Sequence, residues 1–168
     1  YQVNLVGPEY FATMGIDLVS GREFLPADRR GSAVVAVLNE EFVRRHFPGE
    51  NPVGRQLLLP GAGESYPAEI VGVVRNGKYR RIGEDQQAAI YEPFLQRGNR
   101  GRFVHVLVRA DQATEQARKD IERMLSSLDP SAAVEVMPMR SALAFAFLPS
   151  QIGAVMLGSL GAVGLALA

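Results

Sequence analysis

The chain has 168 residues, 47% of them hydrophobic and 21% charged, enough for one well-filled core or two small lobes sharing an interface. Its 18 Lys+Arg balance 18 Asp+Glu, so no bulk field draws it to nucleic acid or to an anionic membrane surface. Without cysteine it has neither disulfides nor thiolate metal sites, a composition that suits any compartment, an oxidising periplasm included.

The chain opens at Tyr1 without the basic and apolar run of a signal peptide, and is expected to be a piece of a longer protein. Residues 2–6 read as a short strand. Gly7-Pro8-Glu9 then opens a brief helix, with Pro8 suited to its first position, Glu9 to its positive end, and Tyr10, Phe11 and Met14 forming its apolar side. Gly15 stops it, residues 16–19 return to extended structure, and Ser20-Gly21 turn. After a polar loop, LPADRRGSA, residues 34–38 are an unbroken apolar run of strand length, expected at the centre of a sheet and covered on both faces.

Asn39 is placed to cap a helix over residues 40–47, with Glu40 and Glu41 in its first turn, Arg44 and Arg45 near its end, and Pro48-Gly49 as the stop. Residues 55–59 and 68–74 form two strands joined by PGAGESYP, a connector that suits a hairpin. Residues 103–108 alternate, with Val104, Val106 and Val108 on one face. Asp111 can cap a longer helix whose Ala113, Ala117, Ile121, Leu125 and Leu128 share a stripe, ended by Asp129-Pro130. Residues 134–137 add a last short strand. This order predicts an α+β fold, a mixed β-sheet with short helices packed on one face.

The end of the chain differs in kind. Arg140 is the last charged residue, leaving 28 uncharged ones, and from Ile152 nearly all are apolar or small. As a helix that stretch spans about 25 Å against a hydrocarbon core of ~30 Å. Ala154, Gly158, Ala162 and Ala166 recur at spacing four, a face on which a second membrane helix could approach closely. Gly153, Gly158, Gly161 and Gly164 would each cost about 1 kcal/mol in a soluble helix. Residues 149–168 are therefore expected to begin a transmembrane helix, and residues 1–148 to form the domain that precedes it.

Reactive chemistry finds little support. Residues 72–78, GVVRNGK, match the G-x-x-x-x-G-K spacing of a phosphate-binding loop, but Gly72 lies inside an apolar strand, Tyr79 stands where a magnesium-holding hydroxyl belongs, and no helix start follows. A strand running into a basic loop explains it. His46, on the exposed side of a short helix, and His105, in an expected strand, are the only histidines, and neither has Asp, Glu or His at ligand spacing. No G-x-S-x-G elbow occurs. Lys78, Arg80 and Arg81, followed by Glu84 and Asp85, read as a solvated loop and not as a nucleic-acid patch. No catalytic residue, metal site or cofactor site is assigned.

The segments GPEYFATMGIDLVSGREF, VVAVLNEEFVRRHFPGENPVGRQLLL, EIVGVVRNGKYRRIG and AAIYEPF, in this order, resemble the periplasmic core domain of MacB/FtsX-like ABC transporter permeases. The resemblance rests on Tyr10, Phe11, Gly15, Ile16, Gly21, Arg22 and Phe24, then on Asn39, Glu40, Phe47, Pro48 and Gly54. It continues through residues 71–74 around Gly72, Tyr91 with Pro93, and Asp129-Pro130. Glu9 replaces the commoner glycine and Asn76 the commoner aspartate, both in turns. In detail the chain is more similar to the stand-alone, often duplicated permeases than to those fused to an ATPase.

Each motif also has a plain structural reading: Gly15, Gly21 and Gly54 follow element ends where positive φ is wanted, Phe11, Phe24 and Phe47 are core plugs, and Asn39 is a cap. The resemblance implies a mechanical module without catalysis. It would sit on the outer side of the inner membrane between the first and second membrane helices, pair with a second permease copy or half, and relay movement driven by a separate cytoplasmic ATPase to a substrate or a periplasmic partner protein. The alternative is a membrane-tethered binding or scaffold module holding a lipoprotein or peptide.

Overall fold

The computed structural model describes residues 1–61, 63–77, 86–98, 103–110, 112 and 114–139. The chain divides into two compact units, Tyr1–Arg109 and Ala110–Ala168. The first is built on a six-stranded mixed sheet from β1 (Gln2–Val6), β2 (Leu18–Gly21), β3 (Val35–Asn39), β4 (Gln56–Leu59), β5 (Tyr66–Val74) and β6 (Ala89–Pro93). The strand order is β1-β6-β3-β5-β2, with β4 also paired to β5. β1 runs parallel to β6, and β3 parallel to β5; the pairs β3–β6, β2–β5 and β4–β5 are antiparallel. The nine-residue β5 is long enough for β4 to pair with its first half and β2 with its second.

β3 and β6 are buried at every position, because the centre of the sheet is covered on both faces, whereas β1, β2 and β4 keep exposed positions. On one face Val35 and Val37 pack with Val6, Phe11, Phe24, Val71, Val74, Ala89 and Tyr91. On the other, Ala36 and Leu38 pack with Phe42, Leu59, Ala68, Ile70, Ala88 and Ile90. Helix α1 (Tyr10–Met14) supplies Phe11 to the first cluster and α2 (Glu40–His46) supplies Phe42 to the second. The helices thus cover both faces, not one as the element order predicted, because β3 offers apolar side chains alternately to each.

Other local differences have local causes. Pro8 stands outside α1, and the capping position is Glu9, with φ 61° and no side-chain cap bond. Gly21 does not turn: it ends β2, opposite Gly72 of β5, and the strand begins only at Leu18. A one-turn helix, α3 (Phe94–Arg97), follows β6 where none was expected.

Residues 103–108 carry the alternation of a strand but form none; Phe103 is 82% exposed and no ladder partner occurs among the described residues. Side-chain alternation prepares a face, whereas a strand needs backbone partners.

In the second unit, α4 (Glu115–Leu128) starts from Thr114, whose hydroxyl accepts the Ala117 N–H at 3.2 Å. Asp111 and Ala113, expected at its start, lie outside the described residues. Ala117, Ile121 and Leu125 are half-buried and Leu128 is exposed, so the stripe fades over the last turn. Asp129 caps the C-terminus, as the Asp-Pro pair implied. Residues 134–137 are not a strand, although Val134 and Val136 are half-buried between the exposed Glu135 and Met137. The tail, with Ala154, Gly158, Ala162 and Ala166, lies outside the described residues, and among those described no helix is long and apolar enough to cross a membrane.

Candidate functional site

Most of the motif residues fall into three structural groups in the first unit. The first is aromatic. Phe11 and Tyr91 are fully buried with ring centres 4.8 Å apart at 84°, and Tyr10 lies 5.4 Å from Phe11 at 80°. Edge-to-face contacts of this kind place a positive ring edge against a negative ring face. Gly15 closes α1 with φ 69°, a value a side chain resists, while the Ile16 N–H returns to the Phe11 carbonyl at 2.9 Å. The helix is thereby held short, and Phe11 is set over the centre of the sheet.

The second group joins β2 to β5. Gly21 and Gly72 face each other, and the backbones approach so closely that a Cβ on Gly21 would lie 2.2 Å from the Val71 carbonyl oxygen. A Cβ on Gly72 would lie 2.3 Å from the Arg22 carbonyl oxygen. Arg22 then turns the chain into the loop before β3, donating to both carboxylate oxygens of Asp28 at 2.7 and 3.1 Å, while the Leu25 N–H donates to Asp28 at 2.8 Å. Burial pushes the Asp28 carboxyl up, but the Arg22 guanidinium and the Leu25 amide outweigh it and hold the group below the usual aspartate range. The same pairing raises the Arg22 guanidinium. Phe24, beside this bridge, enters the core.

The third group surrounds α2. Asn39, fully buried at the end of β3, caps the helix by accepting the Phe42 N–H at 3.0 Å. Glu41 is buried against Arg44 and Arg45, and hydrogen bonds from first Arg44 and then Arg45 lower its carboxyl to about 2. Phe47 caps the C-terminus and packs half-buried on the second core cluster, and Pro48 begins the exposed turn beyond it. Gly54 donates its N–H to the Ile70 carbonyl at 2.8 Å, tying the approach to β4 against β5. Beside this group an open groove of about 460 Å³ runs between α2 and β2, lined by Val19, Val43, Phe47, Pro52 and Val73 together with the charged Glu40, Arg44 and Glu50.

One cluster escaped the sequence reading. Glu92, buried on β6, accepts the Tyr66 hydroxyl at 3.0 Å and is bridged by Arg97 Nε at 2.7 Å, with the Arg97 guanidinium 4.2 Å from the Tyr66 ring centre. The only signal was Tyr91-Glu-Pro93, a charge within a buried strand, and its partners lie 26 residues upstream and five downstream. Buried carboxylates of this kind are held by paired donors and anchor neighbouring segments. Pro93 ends β6 and starts α3, which brings Arg97 back over Glu92.

These groups hold and brace; they do not converge on a reacting atom. Among the described residues no group of three or more His, Asp or Glu could hold a metal ion. His46 stacks on Phe42 at 4.3 Å, and His105 is exposed outside any strand. Gly72 of the phosphate-loop look-alike lies within β5, and Lys78 lies outside the described residues.

The comparisons with known proteins follow the same outline. The macrolide export ATP-binding/permease protein MacB of Rhodopseudomonas palustris is 31% identical over 132 residues, 74% of this chain and 19% of that protein. The protein of the same description from Mannheimia succiniciproducens is 30% identical over 90 residues, 53% of this chain and 13% of that protein. The chain thus spans a fifth or less of the curated relatives it matches. Among solved structures, the periplasmic region of MacB from Actinobacillus actinomycetemcomitans matches with a TM-score of 0.54 and 26% identity, covering 75% of this chain and 56% of that one. The extracellular domain of the noncanonic ABC-type transporter YknZ shares the fold, with a TM-score of 0.51 at 17% identity over 81% of this chain and 69% of that one. The family model of the MacB-like periplasmic core domain matches residues 1–124, and the chain belongs to that family.

Proposed function

We propose that this chain is the extracytoplasmic domain of an ABC transporter permease, a non-catalytic part that relays ATP-driven movement of membrane helices to export or to a periplasmic partner. The family match over residues 1–124 carries this reading. A sheet packed on both faces, with β3 and β6 buried throughout, supports it, because a relay must pass displacement on without absorbing it in soft contacts. In this reading residues 149–168 enter the membrane, a second copy or half completes a dimer, and a separate cytoplasmic ATPase drives the cycle. The domain extends to residue 148.

These 168 residues hold no cysteine to compete with an introduced one, which gives a direct test once any cysteine elsewhere in the permease and its ATPase is replaced. Spin labels on Leu58→Cys, an exposed position on β4, report the distance between two copies in the full permease reconstituted with its ATPase. A distance distribution that changes between the nucleotide-free and ATP-trapped states supports the relay, and one that stays the same refutes it.

The groove between α2 and β2 favours a second reading, a binding or scaffold module for an extended peptide or lipoprotein segment. Val43→Glu, which places a charge on the groove wall, separates the two. Loss of activity with nucleotide-dependent motion intact would move the assignment to the binding module.

A further inference from the structure

Three strands, β1, β2 and β4, have a single ladder neighbour among the described residues, and they differ as edges. β2 meets β5 through a register shift between Leu18 and Ser20 and closes on Gly21, and a bulge of this kind twists an edge away from further pairing. β4 is four residues long, between Arg55 and Pro60. β1 keeps an unbroken register with β6 over five residues, and its sequence, QVNLV, holds neither a charge nor a proline to blunt it. The Gln2 N–H donates to the Ala88 carbonyl at 2.8 Å, so the backbone groups of Gln2, Asn4 and Val6 turn to β6 and those of Val3 and Leu5 turn outward. The side chains of Val3 and Leu5 stand on the face of Ile90 and Glu92 and are 44% and 37% exposed. Asn4 stands on the opposite face, in register with Tyr91, and its Nδ2 is buried without a hydrogen-bond partner, the one such side-chain atom among the described residues.

We propose that the outer edge of β1 pairs antiparallel with β1 of a second copy of this chain, about a two-fold axis at Asn4. This names a surface for the dimer in the proposed function and rests on that reading. The strand is complementary to itself in this register. Val3 of each copy lies opposite Leu5 of the other, and because both turn their backbone outward, each such pair exchanges two N–H···O bonds. Their exposed side chains then cover one another on one face. Asn4 meets Asn4 as the intervening pair without backbone bonds, where Cα atoms approach to about 4.5 Å and side chains are closest. There a turn about the broad terminal torsion of Asn4 presents its unpaired Nδ2 to the other copy's Oδ1, the acceptor that this donor lacks. An unrelated strand offers the backbone groups alone; a second copy offers the amide and the Val–Leu exchange as well.

Disulfide trapping in membranes of cells that make the full permease, with any other cysteine in it replaced, reads the register. Added copper phenanthroline takes two electrons as two thiols lose their protons and the S–S bond forms, which requires Cα atoms within about 7 Å. Asn4→Cys lies on the axis and is expected to give a covalent dimer. Gln2→Cys lies opposite Val6, about 14 Å along the strand from its counterpart, and is expected to give about tenfold less. Val3→Pro, which removes an outward N–H and leaves the ladder to β6 intact, and Leu5→Lys, which charges the edge, are each expected to lower the Asn4→Cys dimer about fivefold at an unchanged amount of folded permease. No Asn4→Cys dimer, equal trapping by Gln2→Cys, a dimer insensitive to both edge variants, or capture of another protein in place of the second copy would overturn the proposal. The Leu58→Cys distances keep the two readings apart. If they change with nucleotide while Asn4→Cys does not trap, the pairing fails and the relay stands; if Asn4→Cys traps while they stay fixed, the relay fails and the pairing stands.

Discussion

Replacing Gly21 by alanine separates two costs that glycine avoids at this position. One is the left-handed backbone, φ 76°, which disfavours an L side chain by about 1 kcal/mol. The other is the close approach to β5, where the new Cβ would meet the Val71 carbonyl oxygen at 2.2 Å, the Gly72 Cα at 2.8 Å and the Val71 carbonyl carbon at 3.0 Å. All three are backbone atoms, so β2 has to lift away from β5. That breaks the bond from the Arg22 N–H to the Val71 carbonyl, 2.8 Å long, and its ladder neighbours at about 0.5–1.5 kcal/mol each, adding roughly 2–3 kcal/mol to the backbone cost. Gly49 is the matched control: it has the same φ of 76° and nothing within 4 Å of its would-be Cβ. Thermal denaturation followed by circular dichroism compares the two variants. About 1 kcal/mol moves the Tm of a domain this size by about 3–6 °C, so Gly21→Ala should lower it by roughly 10–25 °C and Gly49→Ala by about 3–6 °C. Equal shifts would show that the contact between β2 and β5 contributes nothing beyond the backbone conformation, and the packing argument would be wrong.

Glu9→Gly should raise stability by about 0.5 kcal/mol, the relief of a left-handed glutamate less the added freedom of glycine in the unfolded chain, and a urea midpoint no higher than that of the parent would count against it. Phe11→Ala, which empties the ring contacts with Tyr91 and Phe24, should cost about 3–5 kcal/mol, whereas Leu58→Ala at an exposed strand position should stay within about 0.5 kcal/mol. Glu41 has its carboxyl lowered from 4.5 to about 2 by Arg44 and Arg45, so its stabilising contribution is complete above the ordinary glutamate range and is lost as pH falls from about 4.5 through 2. Carbon-13 titration of that carboxyl should show the low midpoint, and substituting Arg44 and Arg45 by methionine should return it toward 4.5. Removal of residues 149–168 should leave a folded domain that no longer needs detergent, and unfolding of the shortened chain would refute the membrane reading of the tail.

Much of the first unit is legible because its signals are local. The apolar run before Asn39 announces β3, the Asn-Glu-Glu start and Arg-Arg end announce α2, and the Gly/Pro connector announces the hairpin of β4 and β5. In each case the residues that favour the element also terminate it, so short-range physical chemistry is sufficient. The candidate site was legible in part. Phe11, Phe47 and Asn39 take the plug and cap positions that their neighbours imply.

What the local chemistry left open depends on partners distant in the chain. Alternation along residues 103–108 describes a side-chain pattern, but a strand exists only where another backbone offers its N–H and C=O groups. Gly21 looked like a turn, since glycine serves turns and close approaches alike, and only the pairing with Gly72 distinguishes them. Glu92 met Tyr66 and Arg97, and Asn39 met Asn76 and Gln87, across separations that no periodicity encodes. The number of faces to be covered was likewise set by the assembled sheet, because whether an apolar residue needs one cover or two depends on which strands flank it.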